Sequence, residues 1–135
     1  MTGNGPEARV LGLMEIAPVT PDRYFLYSLE AKRRFRERVR YFIPPRLPAG
    51  TLREIESDGL AAYRLLGCRD VARLDFRLDS AGRPRFLECN PLPGLNPETS
   101  DIVILSRPVL DYERLVRGVL ADAARRYGMR LACGS

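Results

Sequence analysis

The sequence predicts an α+β unit built on an antiparallel sheet. Three observations carry that prediction. The segments run in the order strand, loop, strand, helix, hairpin, loop, helix. Residues 71–90 alternate apolar and polar side chains on either side of a turn, and two further stretches repeat apolar residues at helical spacing. At 135 residues and 15.3 kDa the chain is long enough for one core, which excludes an enzyme with a cleft between two complete lobes.

Residues 1–8 are polar and glycine-rich and read as a flexible end. Residues 9–16 (RVLGLMEI) form the first expected strand, closed off by Pro18 and Pro21. A second strand is expected around 38–43, stopped by Pro44 and Pro45; the basic block before it reads equally as an irregular loop or a short helix. Residues 51–66 predict a helix, with Thr51 and Glu54 spaced as a capping box, Leu52, Ile55, Ala62, Tyr63 and Leu66 near helical spacing, and Gly67 as the terminating residue. Gly59 weakens its middle. The hairpin follows as strands 71–78 and 85–90 around DSAG. A last helix is expected over 108–127, where Leu115, Val116, Val119, Leu120, Ala123 and Tyr127 form one stripe before Gly128. The folded body is thus expected over 9–128, with 129–135 as a tail.

Apolar residues make up 45% and charged residues 29%, a globular composition. No apolar run approaches the ~20 residues of a membrane span, and the first residues lack a basic-then-apolar export pattern, which makes the cytoplasm the expected compartment. The net charge of +5 resides wholly in residues 32–40 (KRRFRERVR). Such a cluster reads as a phosphate or nucleic-acid footprint, or more commonly as a solvated arginine-rich face. It contains Lys32, the chain's only lysine, whose compact ammonium differs from guanidinium near phosphates. The absence of histidine excludes histidine triads and histidine metal sites. Cys68, Cys89 and Cys133 are too far apart for a CxxC unit, and their odd number argues for reduced thiols. Cys68 and Cys89 read as small core residues and Cys133 as tail.

If Asp75 lies opposite Glu88, the hairpin keeps 80–83 as its loop and sets Arg73 opposite Asn90. All four side chains then share one sheet face, with Phe86 on the face of Glu88, and opposed pairs approach within ~5 Å at Cβ. Two carboxylates and an amide oxygen suit a hard cation such as Mg²⁺, which also relieves their mutual repulsion. Charged residues lining the solvated face of a half-buried hairpin account for the same spacing, and from spacing alone that is the commoner reading. Glu88 and Asn90, at alternate positions where an apolar strand runs into PLPG, favour the site, since a rigid element there adjoins backbone N–H donors including that of Gly94.

The run GCRDVARLDFRLDSAGRPRFLECNPLPGLNPETS resembles the C-terminal catalytic part of the D-alanine–D-alanine ligase-like members of the ATP-grasp superfamily. Its order of Gly-Cys, Arg-x-Asp, turn, Glu-x-Asn and Pro-Gly is far more specific than a lone glycine motif. The resemblance reaches back through 30–32 and 9–16 and forward through the final helix, nearly all of this chain but only the last part of the family's full length. It implies an incomplete, C-terminal part of an ATP-grasp fold. It also implies that Asp75, Glu88 and Asn90 hold two Mg²⁺ ions on the ATP phosphates, with Glu88 bridging, and that Lys32 contacts nucleotide phosphate. Arg73 and the Gly94 N–H correspond to groups that stabilise a tetrahedral intermediate. Thr99 and Ser100 fall where the family binds the carboxylate of the incoming amino acid, with the choice between them open. Arg33 stands where many such ligases have a tyrosine that helps close a loop.

In such enzymes ATP phosphorylates one carboxylate and an amine attacks the acylphosphate, giving ADP, phosphate and an amide; D-alanine serves as both partners in the best-known case, and other family members join other carboxylates to amines. The resemblance lacks counterparts for the strand with the first phosphate lysine, the glycine-rich loop and the adenine hinge. The chain alone is therefore expected not to turn over ATP, whether as an inert fragment or as a piece that needs a complementing N-terminal chain or another copy of itself. A nucleic-acid module is the weaker alternative, since the basic block lacks a recognised helix or a periodic set of stacking aromatics.

Overall fold

The fold is described from a computed structural model covering residues 1–20 and 39–130. Among these, β1 (Glu15–Pro18) pairs antiparallel with β2 (Val39–Phe42), and β3 (Arg73–Leu78) pairs antiparallel with β4 (Pro84–Asn90). Three helices complete the order: α1 (Ala49–Leu65) between the two sheets, then α2 (Asp101–Ser106) and α3 (Tyr112–Arg126) after the hairpin.

β1 is shorter and later than its sequence suggests. Glu15 pairs with Phe42 and Pro18 with Val39, while residues 10–14 join no ladder. That apolar stretch instead lies against α2: a Cβ on Gly12 would stand 3.2 Å from the Leu105 side chain and 3.3 Å from its carbonyl oxygen, and Leu11 packs on the buried cluster beneath. Apolar burial, not pairing, accounts for the run. The basic block lies outside the described residues except for Val39 and Arg40, which belong to β2.

α1 begins at Ala49, two residues before the expected cap. Pro48 occupies the N-cap without a side-chain hydrogen bond, so the Thr51–Glu54 capping box does not form. The helix stops as predicted: Gly67 takes φ +65°, its N–H bonds to Arg64 O at 3.1 Å and the N–H of Cys68 to Tyr63 O at 3.0 Å, the paired bonds of a Schellman end. α3 ends the same way at Gly128, with Gly128 N to Arg125 O and Met129 N to Ala124 O. Its start lies at Asp111, whose carboxylate accepts from Arg114 N at 2.8 Å, rather than at Pro108.

The hairpin register at the root matches the prediction, with Arg73 opposite Asn90 and Asp75 opposite Glu88. Beyond that point β4 carries one extra residue. Phe76 faces Phe86 and Leu78 faces Pro84, which leaves Leu87 as a bulge and 79–83, rather than 80–83, as the loop. The bulge also moves Phe86 off the face of Glu88: it meets Phe76 edge-to-face, with centroids 5.7 Å apart. Asp79 closes the loop by accepting from the N–H groups of Ala81 and Arg83 and from the guanidinium groups of Arg83 and Arg85.

Two apolar clusters hold these elements together. Ala8, Tyr63, Cys68 and Ala72 pack with Met1, Leu60, Leu74 and Cys89, joining α1 to the back of the hairpin. Val71, Ile102, Val103 and Leu115 pack with Leu11, Leu95 and Val119, joining the hairpin root to α2 and α3. Cys68 and Cys89 pack in the first cluster as the sequence predicts, their Sγ atoms 3.4 Å apart; burial and the neighbouring thiol push Cys89 up to about 11. Residues 1–8 are stitched in rather than loose. Thr2 bridges to both Arg9 and Val71, Tyr63 donates its hydroxyl proton to Gly3 O at 2.8 Å, and Asn4 holds Asp70, the one described non-glycine residue at positive φ (+60°).

Candidate functional site

The face of the hairpin opposite α1 carries the predicted residues. Alternation sends Leu74 and Cys89 back into the core and leaves Arg73, Asp75, Glu88 and Asn90 on the other side, at the end of the ladder where the register holds. Arg73 organises the group. Its Nε and Nη2 donate to the two oxygens of Asp75 at 2.9 and 3.0 Å, Nη2 lies 3.6 Å from Glu88 Oε1, and Nη1 donates to Asp101 Oδ2 at 3.1 Å. Burial works against its charge, but the hydrogen bonds to Asp75 and the charges of Asp75, Asp101 and Glu88 outweigh that and raise its pKa further. The guanidinium is therefore a fixed, permanently charged fork.

Asp101 is the residue that sequence reasoning missed. Its side chain is 3% exposed, and it accepts from Arg73 and from the Tyr41 hydroxyl at 3.2 Å, tying β2, β3 and α2 together. Its sequence signal is slight: one acid opening a six-residue apolar stretch, DIVILS, in a segment otherwise read as loop.

Beyond Asn90 the chain turns sharply. Asn90 Oδ1 accepts from Leu92 N at 3.0 Å, and Asn96 Oδ1 accepts from the N–H groups of Glu98 and Thr99. Ser100 precedes α2 yet does not cap it; its Oγ instead accepts from Asn96 N at 2.8 Å. The result is a cavity of about 200 Å³ whose walls include Arg73, Asn90, Gly94, Thr99 and Ser100. Gly94 lets the backbone approach Ser100 closely, since a Cβ there would sit 3.0 Å from Ser100 Oγ. Thus the structure gathers Arg73, Asn90, Gly94, Thr99 and Ser100 around one hollow, with Asp75 and Glu88 on the adjoining sheet face. Lys32 and Arg33 lie outside the described residues.

The donor set fits a hard cation. Glu88 is largely exposed, its side chain 64% accessible. Asp75 spends one lone pair of each oxygen on Arg73, and Asn90 Oδ1 spends one on Leu92 N, so each keeps acceptor capacity. No three His, Cys, Asp or Glu side chains converge tightly enough among the described residues to form a metal cage by themselves. No described helix is long and apolar enough to cross a membrane.

Comparison with known proteins adds the following. Residues 1–121 match the family described as D-ala D-ala ligase C-terminus. The chain is 37% identical over 125 residues to the D-alanine–D-alanine ligase of Bordetella avium, covering 92% of this chain and 38% of that protein. It is 37% identical over 118 residues to the Synechococcus sp. enzyme of the same name, covering 87% and 35%. Among solved structures, D-alanine–D-alanine ligase from Bacillus anthracis matches with a TM-score of 0.62 at 20% identity, over 85% of this chain and 35% of that one. The same enzyme complexed with ATP matches with a TM-score of 0.58 at 24% identity, over 67% and 30%. The chain therefore spans little more than a third of the length of these relatives.

Proposed function

The chain belongs to the D-alanine–D-alanine ligase C-terminal family and carries part of its ATP-grasp fold, and from that premise we propose that it furnishes the catalytic part of an ATP-dependent carboxylate–amine ligase. The observation that supports this reading is the shared face of Arg73, Asp75, Glu88 and Asn90 beside the hollow at Gly94 and Ser100. Asp75, Glu88 and Asn90 are the residues that would hold Mg²⁺ together with the ATP phosphates. Mg²⁺ held there would supply neutralisation of phosphate charge during phosphoryl transfer. Lys32 contacts nucleotide phosphate as a point charge.

Arg73 and the Gly94 N–H meet the oxygen that turns anionic when an amine attacks the acylphosphate. Arg73 suits this task because three carboxylates hold its fork in place and no reorganisation is needed when charge develops. Thr99 or Ser100 takes the carboxylate of the incoming amino acid. The described residues offer no candidates for the adenine pocket or the first-substrate site, which a complementing chain or a longer one would supply, so the isolated chain is expected not to turn over ATP.

The test is a chimera in which this chain replaces the matching part of the Bordetella avium ligase, assayed for ADP release with Mg²⁺, ATP and a panel of D- and L-amino acids. Amino-acid-dependent ADP release that falls about a hundredfold in the Glu88→Ala chimera is the expected result. A folded chimera that binds ATP but releases no ADP with any acceptor overturns the reading.

A further inference from the structure

The core holds chemistry that the ligase reading does not use. Cys68 lies in the turn directly after the Schellman end of α1 and Cys89 lies in β4, and their Sγ atoms share an S–H···S hydrogen bond at 3.4 Å with no disulfide between them. The two sites are 21 residues apart in the chain, so nothing local forces the approach. The two cysteines also line an open cleft of about 500 Å³, walled by Leu66, Gly67, Arg69, Asp70 and Pro91 as well. A buried cysteine pair of purely packing value needs no such access.

We propose that Cys68 and Cys89 form a reversible thiol–disulfide pair, an oxidative modification site that takes small disulfides as its oxidant. A contraction of a little over an ångström brings the sulfur atoms to bonding distance, ~2.0 Å. Cys89 is the more exposed of the two and reacts first. Its sulfur attacks one sulfur of the small disulfide, a mixed disulfide forms, and the first small thiol leaves with the Cys89 proton. Cys68 then attacks the Cys89 sulfur; the new S–S bond joins the two residues and the second small thiol leaves with the Cys68 proton. Two protein thiols are thus oxidised and one small disulfide is reduced to two thiols.

Closure has a definite target. Cys89 stands between Glu88 and Asn90, so the bond ties the strand end that carries both to the turn behind α1. The chemistry of the pair stands whether or not the ligase reading holds; only this consequence for the site rests on it.

The experiment uses the full chain with Cys133→Ser, native and mildly alkaline, incubated with oxidised glutathione. The expected result is loss of both free thiols without bound glutathione, a 68–89 cross-link in the non-reducing peptide map, recovery of both thiols with dithiothreitol, and slowed amide exchange over residues 88–90. In the same background Cys68→Ser traps glutathione on Cys89, and Cys89→Ser traps none. Two thiols that stay free, separate glutathione adducts on both, or linkage only between molecules overturns the proposal. Should the exchange at 88–90 stay unchanged while the cross-link forms, the pair stands and its coupling to the site falls.

Discussion

Single residues set the strongest local constraints in this molecule, and Asp79 is the clearest. It accepts from two backbone N–H groups and two guanidinium groups at the hairpin tip. These bonds, the Arg83 N–H first and then the Arg85 guanidinium, hold its carboxyl down to about 2. An acid whose pKa is lowered by folding stabilises the native state above its unfolded value near 3.8, and that contribution is lost as pH falls through about 2. The melting temperature is therefore expected to fall from pH 4 to pH 2 more steeply in the wild type than in Asp79→Ala, with the two curves converging at the acid end. Parallel curves in a pH series of thermal melts contradict the assignment. Arg73 and Asp101 illustrate what a sequence discloses at this scale. The Arg-x-Asp spacing exposes Arg73 and Asp75 as partners on one strand face. Asp101 reaches the same guanidinium from 28 residues away, and no spacing rule connects them.

At the scale of elements, legibility followed periodicity. The faces of the hairpin root were legible because a one-residue slip would turn Leu74 and Cys89 away from the core, while the particular pairing of Asp75 with Glu88 had to be assumed. The bulge at Leu87 was not legible, because an unpaired residue leaves no trace in an alternating pattern. α2 escaped notice since six residues span too few turns to display a helical period. The Thr51–Glu54 spacing misled because Pro48 begins the helix earlier, and a proline fits a helix start without a side-chain bond. α3 offers a test of its own. Gly118 lies in its interior, and a Cβ built there meets nothing within 4 Å. Gly118→Ala is expected to stabilise the protein by roughly 0.5–1 kcal/mol, read as a higher urea midpoint at unchanged slope. A lower midpoint would show that this face of α3 is more crowded than it is drawn.

For the molecule as a whole, several large apolar side chains stand uncovered on the described surface. Leu65 is 89% and Leu92 86% exposed, and among the described residues no further strand pairs with the outer edges of β3 and β4. Concentration-dependent association is expected: the weight-average mass in sedimentation equilibrium climbs with loading, and Leu65→Glu reduces the climb. A mass that stays monomeric at every loading refutes it. The strip of residues 1–8 has the opposite character. Thr2 meets Val71, Gly3 receives the Tyr63 hydroxyl, Asn4 pins Asp70 and Glu7 pairs with Arg125 of α3. Because Val71 belongs to one apolar cluster and Tyr63 to the other, this strip is the keystone between them. The consequence is cooperativity: helix and hairpin on one side, and the helical pair on the other, melt as a single unit, and peeling away eight residues would leave two small cores to unravel on their own schedules.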